Sequence, residues 1–240
     1  MNATRIGFGK IEESSHFPVG RRIREVVFGI HDGLITTVAF LAGVNAASAG
    51  QRMIVISSVA EALAQTLSMG FGAYLSTKSE GELYQREIAR ERLEIETMPE
   101  KEREEMCQIY RSKGFSEDEV ELVVTRLTAD KERLLKAMMV EELGLIEERF
   151  DNPVKVGVLM GVSSCVGAII PIAPYLFLEL REAFVVSMSL AAFALFATGA
   201  GKTVLTRKAW WRSGLEMLGI GLLVSVAGYG IGYFLSALWY

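Results

Sequence analysis

Cysteine and histidine are nearly absent from this 240-residue chain, which contains two of each. Cys107 lies in a polar stretch and Cys165 in an apolar one, so they do not indicate a disulfide framework. A ferritin-like di-iron centre takes an E-x-x-H motif from each of two helices, so the presence of only His16 and His31 argues against such a centre. The H-E-x-x-H motif of catalytic zinc sites is missing. The sequence therefore excludes a disulfide scaffold and argues against histidine-based metal enzymes.

Nucleotide-binding and hydrolase signatures are missing as well. The chain has no Walker A loop, no G-x-G-x-x-G in a strand-turn-helix context and no G-x-S-x-G elbow. A pI near 5.4 argues against nucleic acid as a partner. We therefore expect neither an enzyme nor nucleotide-driven transport, and no organic cofactor.

Charge is scarce in five long stretches, although 22% of all residues are charged. At about 1.5 Å per helical residue, each stretch can cross a hydrocarbon core roughly 30 Å thick. None of them alternates as the strands of a membrane β-barrel do. The sequence therefore predicts an all-α integral membrane protein with five transmembrane helices. They fall at Val26–Ala49, Met53–Leu75, Val156–Leu178, Ala183–Gly201 and Met217–Tyr240.

An acidic block separates the second and third spans. Between Ser76 and Asn152 the chain carries 13 Lys and Arg against 21 Asp and Glu. Apolar positions recur there at helical spacing, and capping-box patterns at Thr97–Glu100 and Ser116–Glu119 predict helix starts. A last helix is predicted over Asp130–Arg149. The predicted domains are an N-terminal segment 1–25, spans one and two over 26–75, an acidic helical domain 76–152, and spans three to five over 153–240.

Basic residues predict the orientation of the spans, because cytosolic loops are enriched in Lys and Arg. One set of connections is rich in them, with Arg21, Arg22, Arg24, Lys202, Arg207, Lys208 and Arg212. The opposite set has only Arg52 and Arg181. The N-terminal segment and the acidic domain are therefore expected in the cytosol, and the C-terminus on the other side.

Glycine pairs at four-residue spacing occur in several spans. They are Gly29 with Gly33, Gly157 with Gly161, and Gly228 with Gly232. Small residues at this spacing let two helices approach closely, so we expect these pairs to lie at packing contacts within or between subunits.

Asp32 and Glu61 are the single acids of the first and second spans. A charged side chain at the middle of a bilayer costs about 2.5–3.5 kcal/mol on insertion scales. Two such acids in adjacent spans favour a cation or proton site facing the protein interior. The alternative is an acid near a helix end that is solvated or hydrogen-bonded and has no role in transport.

Methionine could complete such a site. Met69 lies eight residues after Glu61, about two helical turns on and broadly on the same face. A thioether beside carboxylates biases a site toward softer transition metals. The alternative is an ordinary packing or lipid-facing methionine, since the chain has ten.

The acidic block offers a second candidate site. Its E-x-x-E pairs, Glu91 with Glu94 and Glu102 with Glu105, each place two carboxylates on one helix face. Further along lie Met138, Met139 and Glu142, which could complete a carboxylate-rich metal site containing methionine. The alternative is a solvated acidic face.

Several stretches resemble the vacuolar iron transporter family, in order and from about Gly20 onward. The first-span stretch Phe28–Leu34 (FGIHDGL) is similar to that family's D-G-L signature. Further similar stretches are Ala60–Glu61, Ser68–Gly70, Gly72–Glu80, Met138–Met139 with Glu141–Gly144, and Pro171–Tyr175.

The resemblance implies an Fe²⁺/H⁺ antiporter that works as a homodimer with its path between the subunits. It implies a membrane site at Asp32, Glu61 and Met69. It also implies a cytosolic metal site drawn from Glu91, Glu94, Glu102, Glu105, Glu142 and either Met138 or Met139. Fe²⁺ would be both substrate and bound ion, with Mn²⁺, Co²⁺ and Zn²⁺ as further candidates.

Two rival functions remain open at this stage. A membrane-anchored metal sensor or store would use only the acidic helices. A passive divalent cation channel would conduct without a pH gradient. We expect the protein to lie in the cell membrane if it is prokaryotic and in the vacuolar membrane if it is eukaryotic. The compact, loop-poor chain favours a prokaryotic protein.

Overall fold

The computed structural model describes residues 16–47, 50–145, 151–203 and 209–239. Most of the predicted N-terminal segment, the predicted cytosolic residues Arg207 and Lys208, and Tyr240 lie outside these ranges. The described residues form helices and connecting turns and contain no strand. The predicted all-α class is therefore confirmed.

Five of the helices are long and apolar enough to cross a membrane, as the hydropathy pattern predicts. They are α1 (His16–Ala46), α2 (Gln51–Thr97), α6 (Pro153–Ile172), α7 (Leu180–Gly201) and α8 (Trp210–Trp239). Large apolar side chains cover their outer faces, including Leu67, Phe71 and Val226. Such a surface suits lipid rather than water, which supports a membrane protein.

Helix α2 continues well beyond its apolar part. It has 47 residues, more than twice the roughly 20 that a membrane-spanning helix needs. The helix therefore includes Glu80–Glu96, the first part of the acidic block.

Three shorter helices follow α2 in the chain. They are α3 (Pro99–Ser112), α4 (Glu117–Thr128) and α5 (Lys131–Glu141). The Ser116–Glu119 capping box is present, and Asp130 caps α5 by accepting a hydrogen bond from the backbone N–H of Arg133. Gly114, with φ of 90°, follows the end of α3.

Two predicted features of this region are wrong. Thr97 does not cap α3, because it is the last residue of α2 and its hydroxyl donates to the Leu93 carbonyl. Met98 occupies the cap position without a side-chain bond, and Pro99 starts the helix. Helix α5 ends at Glu141 instead of continuing to Arg149. Gly144 follows with φ of 63°, a left-handed conformation that typically terminates helices.

The third span is shorter as an α-helix than predicted. Helix α6 ends at Ile172, and a 3₁₀ turn over Ala173–Leu176 replaces its last part. Pro174 has no N–H to continue the α-helical bonding pattern. The buried Ser187 hydroxyl of α7 donates to the Pro171 carbonyl at 2.6 Å.

The described residues fall into two compact units. The first comprises Met1–Leu67 and Leu159–Tyr240, and its core includes Leu41, Ile54 and Tyr175. Glycines allow its helices to approach closely: a Cβ on Gly33 would overlap the Ser164 carbonyl oxygen of α6, and one on Gly232 would overlap Gly43 of α1. The predicted packing role is therefore confirmed for Gly33 and Gly232.

The second unit comprises Ser68–Val158. Its apolar core joins α2, α3, α4 and α5 through side chains that are almost fully buried, including Ile95, Met106, Val124, Leu135 and Met138. The acidic helices therefore have a hydrophobic core of their own.

Candidate functional site

The first unit brings its two membrane acids into a reciprocal arrangement between α1 and α2. Asp32 is on α1, and the Gln65 side chain of α2 donates to its Oδ2 at 2.8 Å and to its main-chain oxygen at 3.1 Å. Glu61 is on α2, and the Thr37 hydroxyl of α1 donates to its Oε2 at 3.2 Å. Each helix thus supplies one acid and one donor to the other helix's acid.

Helical spacing explains this arrangement on α2. Ile54, Ser58 and Ala62 form its buried face, and Glu61 and Gln65 lie on the same side at the matching 3.6-residue period. Both Asp32 and Glu61 are half-buried, and they are close enough to interact electrostatically. A divalent cation is a suitable counter-charge for these two neighbouring carboxylates, because neither forms an ion pair within the described residues.

Thr37 and Gln65 are not among the site residues that the sequence predicts. Gln65 could have been found, because it lies one helical turn after Glu61 and is polar within an apolar span. Thr37 has no such signal, because threonine is common in membrane helices and its partner is 24 residues away. Met69 is half-buried on α2 and belongs to the second unit, and its role as a ligand stays a prediction.

The second unit brings together three carboxylates from three helices. They belong to Glu91 of α2, Glu102 of α3 and Glu142 at the end of α5, and one oxygen of each lies within 4.8 Å of the others. Glu91 is 2% exposed and Glu102 is fully buried. Three converging carboxylates can hold a divalent metal ion, because hard divalent ions prefer oxygen ligands.

The ionised carboxylates of this cluster repel one another when no cation is bound. Burial, followed by the Glu142 and Glu102 carboxylates, raises the pKa of Glu91 to about 8. Burial is also the largest cause that raises the pKa of Glu102 and of Glu142, and Glu105 adds to both. These groups therefore hold protons readily when no metal is bound, and a divalent ion would compete with those protons.

Glu94 and Glu105 stand at the edge of the cluster. Both are half-buried, and both act electrostatically on its members Glu102 and Glu142. Each also has a basic neighbour on its own helix: Arg90 lies 3.1 Å from Glu94, and Lys101 lies 3.0 Å from Glu105. Each predicted E-x-x-E pair thus contributes one carboxylate to the cluster and one to its rim.

Two arginines that alternate with these glutamates in sequence are paired elsewhere. Arg92 binds Glu132 of α5, and Arg103 binds Glu121 of α4 at 2.6 Å and 2.7 Å. All four side chains are on or near the surface. The guanidinium groups are thus engaged by acids outside the cluster.

Met138 and Met139 lie in the apolar core of the second unit. Met138 is fully buried and Met139 is 3% exposed, and both belong to the cluster of apolar side chains around Met106 and Val124. The geometry therefore gives them a packing role, and ligation by either thioether stays a prediction.

Comparisons with known proteins match nearly the whole chain. The sequence profile of the VIT family matches residues 23–233. A vacuolar iron transporter of Centaurea cyanus is 34% identical over 218 residues, which cover 90% of this chain and 89% of that protein. Vacuolar iron transporter 1 of Arabidopsis thaliana is 33% identical over 89% of this chain and 86% of its own length. Vacuolar iron transporter 1 of Eucalyptus grandis is 32% identical, with shares of 91% and 88%.

Proposed function

The chain belongs to the VIT family, whose members are transporters and not enzymes, and on that premise we propose that it carries Fe²⁺ out of the cytosol in exchange for protons. The iron substrate follows from the names of its relatives. The observation that carries the proposal is the pair of intramembrane acids, Asp32 and Glu61, each held by a neutral donor from the other's helix.

The membrane pair has the chemistry that exchange requires. A carboxylate in a span can be neutralised by a proton or by a metal ion, and the two compete for the same oxygens. When Fe²⁺ binds Asp32 and Glu61, it displaces their protons by charge. When the ion leaves, protons can return. Met69, two turns after Glu61 on α2, is proposed as a softer ligand that favours a transition metal over Mg²⁺ or Ca²⁺.

The carboxylate cluster of the second unit is proposed as a collecting site for cytosolic metal. Glu91, Glu102 and Glu142 supply its centre. Glu94 and Glu105 add negative potential at the rim, which raises the local concentration of cations. Either Met138 or Met139 is proposed to contribute a thioether after a local side-chain rearrangement.

The proposed topology follows from the distribution of basic residues. We propose that the acidic helices α3–α5 lie in the cytosol, between spans two and three, and that the C-terminus lies on the opposite side. A homodimer with its path between subunits is proposed from the family resemblance. The exposed apolar side chains on α2 and α8 are suited to contact with lipid or with a second copy of this chain.

The host membrane is proposed to be vacuolar or, in a prokaryote, the cell membrane. The relatives above are named vacuolar, so their names lend no support to the preference for a prokaryotic membrane. Besides Fe²⁺, the oxygen-rich sites are compatible with Mn²⁺, Co²⁺ and Zn²⁺, because affinity order alone does not favour iron.

The deciding experiment is Fe²⁺ flux into liposomes that contain the purified chain. Flux is measured with and without an imposed pH gradient, together with metal-dependent proton movement in the opposite direction. An antiporter gives gradient-driven iron flux and counterflow of protons. Iron flux that ignores the gradient would identify a channel. Metal bound to the acidic helices with no flux at all would identify a sensor or store.

A further inference from the structure

We propose that Gln65 is a ligand of the transported cation: its amide oxygen binds the ion while its amide nitrogen positions Asp32. This inference rests on the proposed function of Asp32 and Glu61. It adds a neutral oxygen ligand to a site otherwise described by its carboxylates and a methionine.

The hydrogen bonds fix which end of the Gln65 amide is which. One side of the group faces two acceptors, the Asp32 Oδ2 and the Asp32 main-chain oxygen. Only the NH₂ can satisfy two acceptors at once, and a flipped amide would place an oxygen against both. The amide oxygen Oε1 therefore lies on the opposite side, away from these contacts.

That oxygen has no hydrogen-bond donor. Oε1 of Gln65 is inaccessible to solvent and accepts no hydrogen bond from the described part of the chain. Buried polar atoms are rarely left in this state, because an unpaired acceptor loses the hydrogen bonds that water would give it. A cation, or a water molecule bound to one, would satisfy it.

The position of Gln65 on α2 suits this role. It lies one turn after Glu61, so the two side chains are neighbours on one face of the helix. On the same helix, Ser58 and Thr66 also have buried hydroxyl oxygens without partners among the described residues. Both hydroxyls are within one helical turn of Glu61 or Gln65 in the sequence, so unpaired oxygens accompany the acids in this part of α2.

Charge explains why an amide would be used here. Two carboxylates already balance the charge of a divalent ion, and a third would add a net negative charge and strengthen binding, which opposes release. A neutral oxygen raises the number of ligands without adding charge. Amide and carboxylate oxygens also favour harder ions such as Mn²⁺, whereas thioethers favour softer ones.

The test measures Mn²⁺ and Zn²⁺ binding to the purified full-length chain, with Mn²⁺ followed by the electron paramagnetic resonance of the free ion. The chain carries Glu91→Gln and Glu102→Gln, so that the membrane site dominates. Gln65→Leu removes both functions of the amide. Gln65→Met is similar in size and supplies a soft thioether in place of the oxygen. Gln51→Leu is the matched control, because the Gln51 side chain of α2 donates only to the backbone carbonyls of Tyr175 and Leu178 in the described contacts.

We expect Gln65→Leu to weaken Mn²⁺ binding about tenfold, and Gln65→Met to shift the Zn²⁺ to Mn²⁺ affinity ratio by a similar factor toward Zn²⁺. Gln51→Leu should change neither quantity. A purely structural amide would not alter the ratio between the two ions. An unchanged ratio in Gln65→Met and unchanged Mn²⁺ binding in Gln65→Leu would overturn the proposal.

Asp32→Asn in the same background separates this inference from the proposed function. If Asp32→Asn abolishes Mn²⁺ binding and the Gln65 variants leave it intact, only the role of Gln65 is wrong. If Asp32→Asn leaves binding intact, the membrane site itself is wrong, and the Gln65 proposal is overturned with it.

Discussion

The hydroxyl of Thr37 on α1 donates to Oε2 of Glu61 on α2 at 3.2 Å. Thr37 is fully buried, so this donor has no contact with water. Together with the bond from Gln65 to Asp32, it holds the two acids from opposite directions. The positions of both carboxylates therefore depend on how α1 and α2 pack, and not on either helix alone.

Thr37→Val should weaken apparent Fe²⁺ affinity in liposome flux by roughly three- to tenfold, the equivalent of about 1 kcal/mol for a lost hydrogen bond. Valine has nearly the shape of threonine but cannot donate to Glu61. Thr37→Ser keeps the hydroxyl and should retain most of the affinity. Unchanged affinity in Thr37→Val with a loss in Thr37→Ser would show that the methyl group matters and the hydrogen bond does not.

Asp32→Ala should abolish Fe²⁺ flux, because its carboxylate is the proposed ligand from the first span. The protein should still be recovered as a folded species, since Asp32 is only half-buried. Glu216→Gln is the control: this acid is exposed near the start of α8, and its loss should leave flux intact. Normal iron flux in Asp32→Ala would remove the membrane site from the mechanism.

Replacing Glu91 and Glu94 together with alanine should weaken metal binding by the acidic helices more than it harms the membrane site. Calorimetric titration with Mn²⁺ should lose its tighter class of sites, while flux at saturating Fe²⁺ stays largely intact. The matched control removes two exposed acids, Glu121 and Glu132, which pair with arginines outside the cluster. If both double variants lose metal equally, general negative charge and not the cluster binds the ion.

The stability of the metal-free acidic helices should fall as pH rises. Glu91 has a pKa of about 8 in the folded chain, against 4.5 as its ordinary value. Between these values the folded state holds more protons than the unfolded state, so the stabilisation is complete below about pH 4.5 and is lost as pH rises through about 8.

Hydrogen exchange of α3–α5 in the full-length chain measures this effect. Protection should decrease from about pH 5 to about pH 8, after correction for the intrinsic exchange rate, and a divalent metal should restore it. Glu91→Gln should reduce the dependence, because it removes one titrating group while Glu102 and Glu142, whose pKa values are also raised, remain. A pH-independent opening free energy in the metal-free protein would contradict the prediction.

Gly33→Ala should impair folding of the membrane unit. The added Cβ would overlap the Ser164 carbonyl oxygen, a backbone atom that can move only if α6 moves away from α1. Gly219→Ala on α8 is the matched control, because a Cβ added there would meet no atom within 4 Å. We expect loss of the monodisperse species in size-exclusion chromatography for Gly33→Ala alone, and equal behaviour of both variants would argue against the close α1–α6 contact.

Hydropathy and charge predicted much of the fold. Five long apolar runs predicted five long helices, because a bilayer demands about 20 apolar residues per span. The helix ends were less predictable, because local patterns compete there with tertiary packing. Threonine is a common N-terminal capping residue, yet Thr97 is the last residue of α2. Helix α5 ends at Glu141, well short of the predicted limit at Arg149, and Gly144 follows in a left-handed conformation.

The amino-acid sequence alone set the chemical types available to the sites: lone acids in apolar spans and paired acids in the polar block. Which of these groups meet depends on tertiary packing. Glu142 joins Glu91 and Glu102 because three helices pack around one apolar core, and Thr37 reaches Glu61 because α1 lies against α2. Such contacts join residues far apart in the chain, and local spacing, which reflects only neighbours on one helix, carries no information about them.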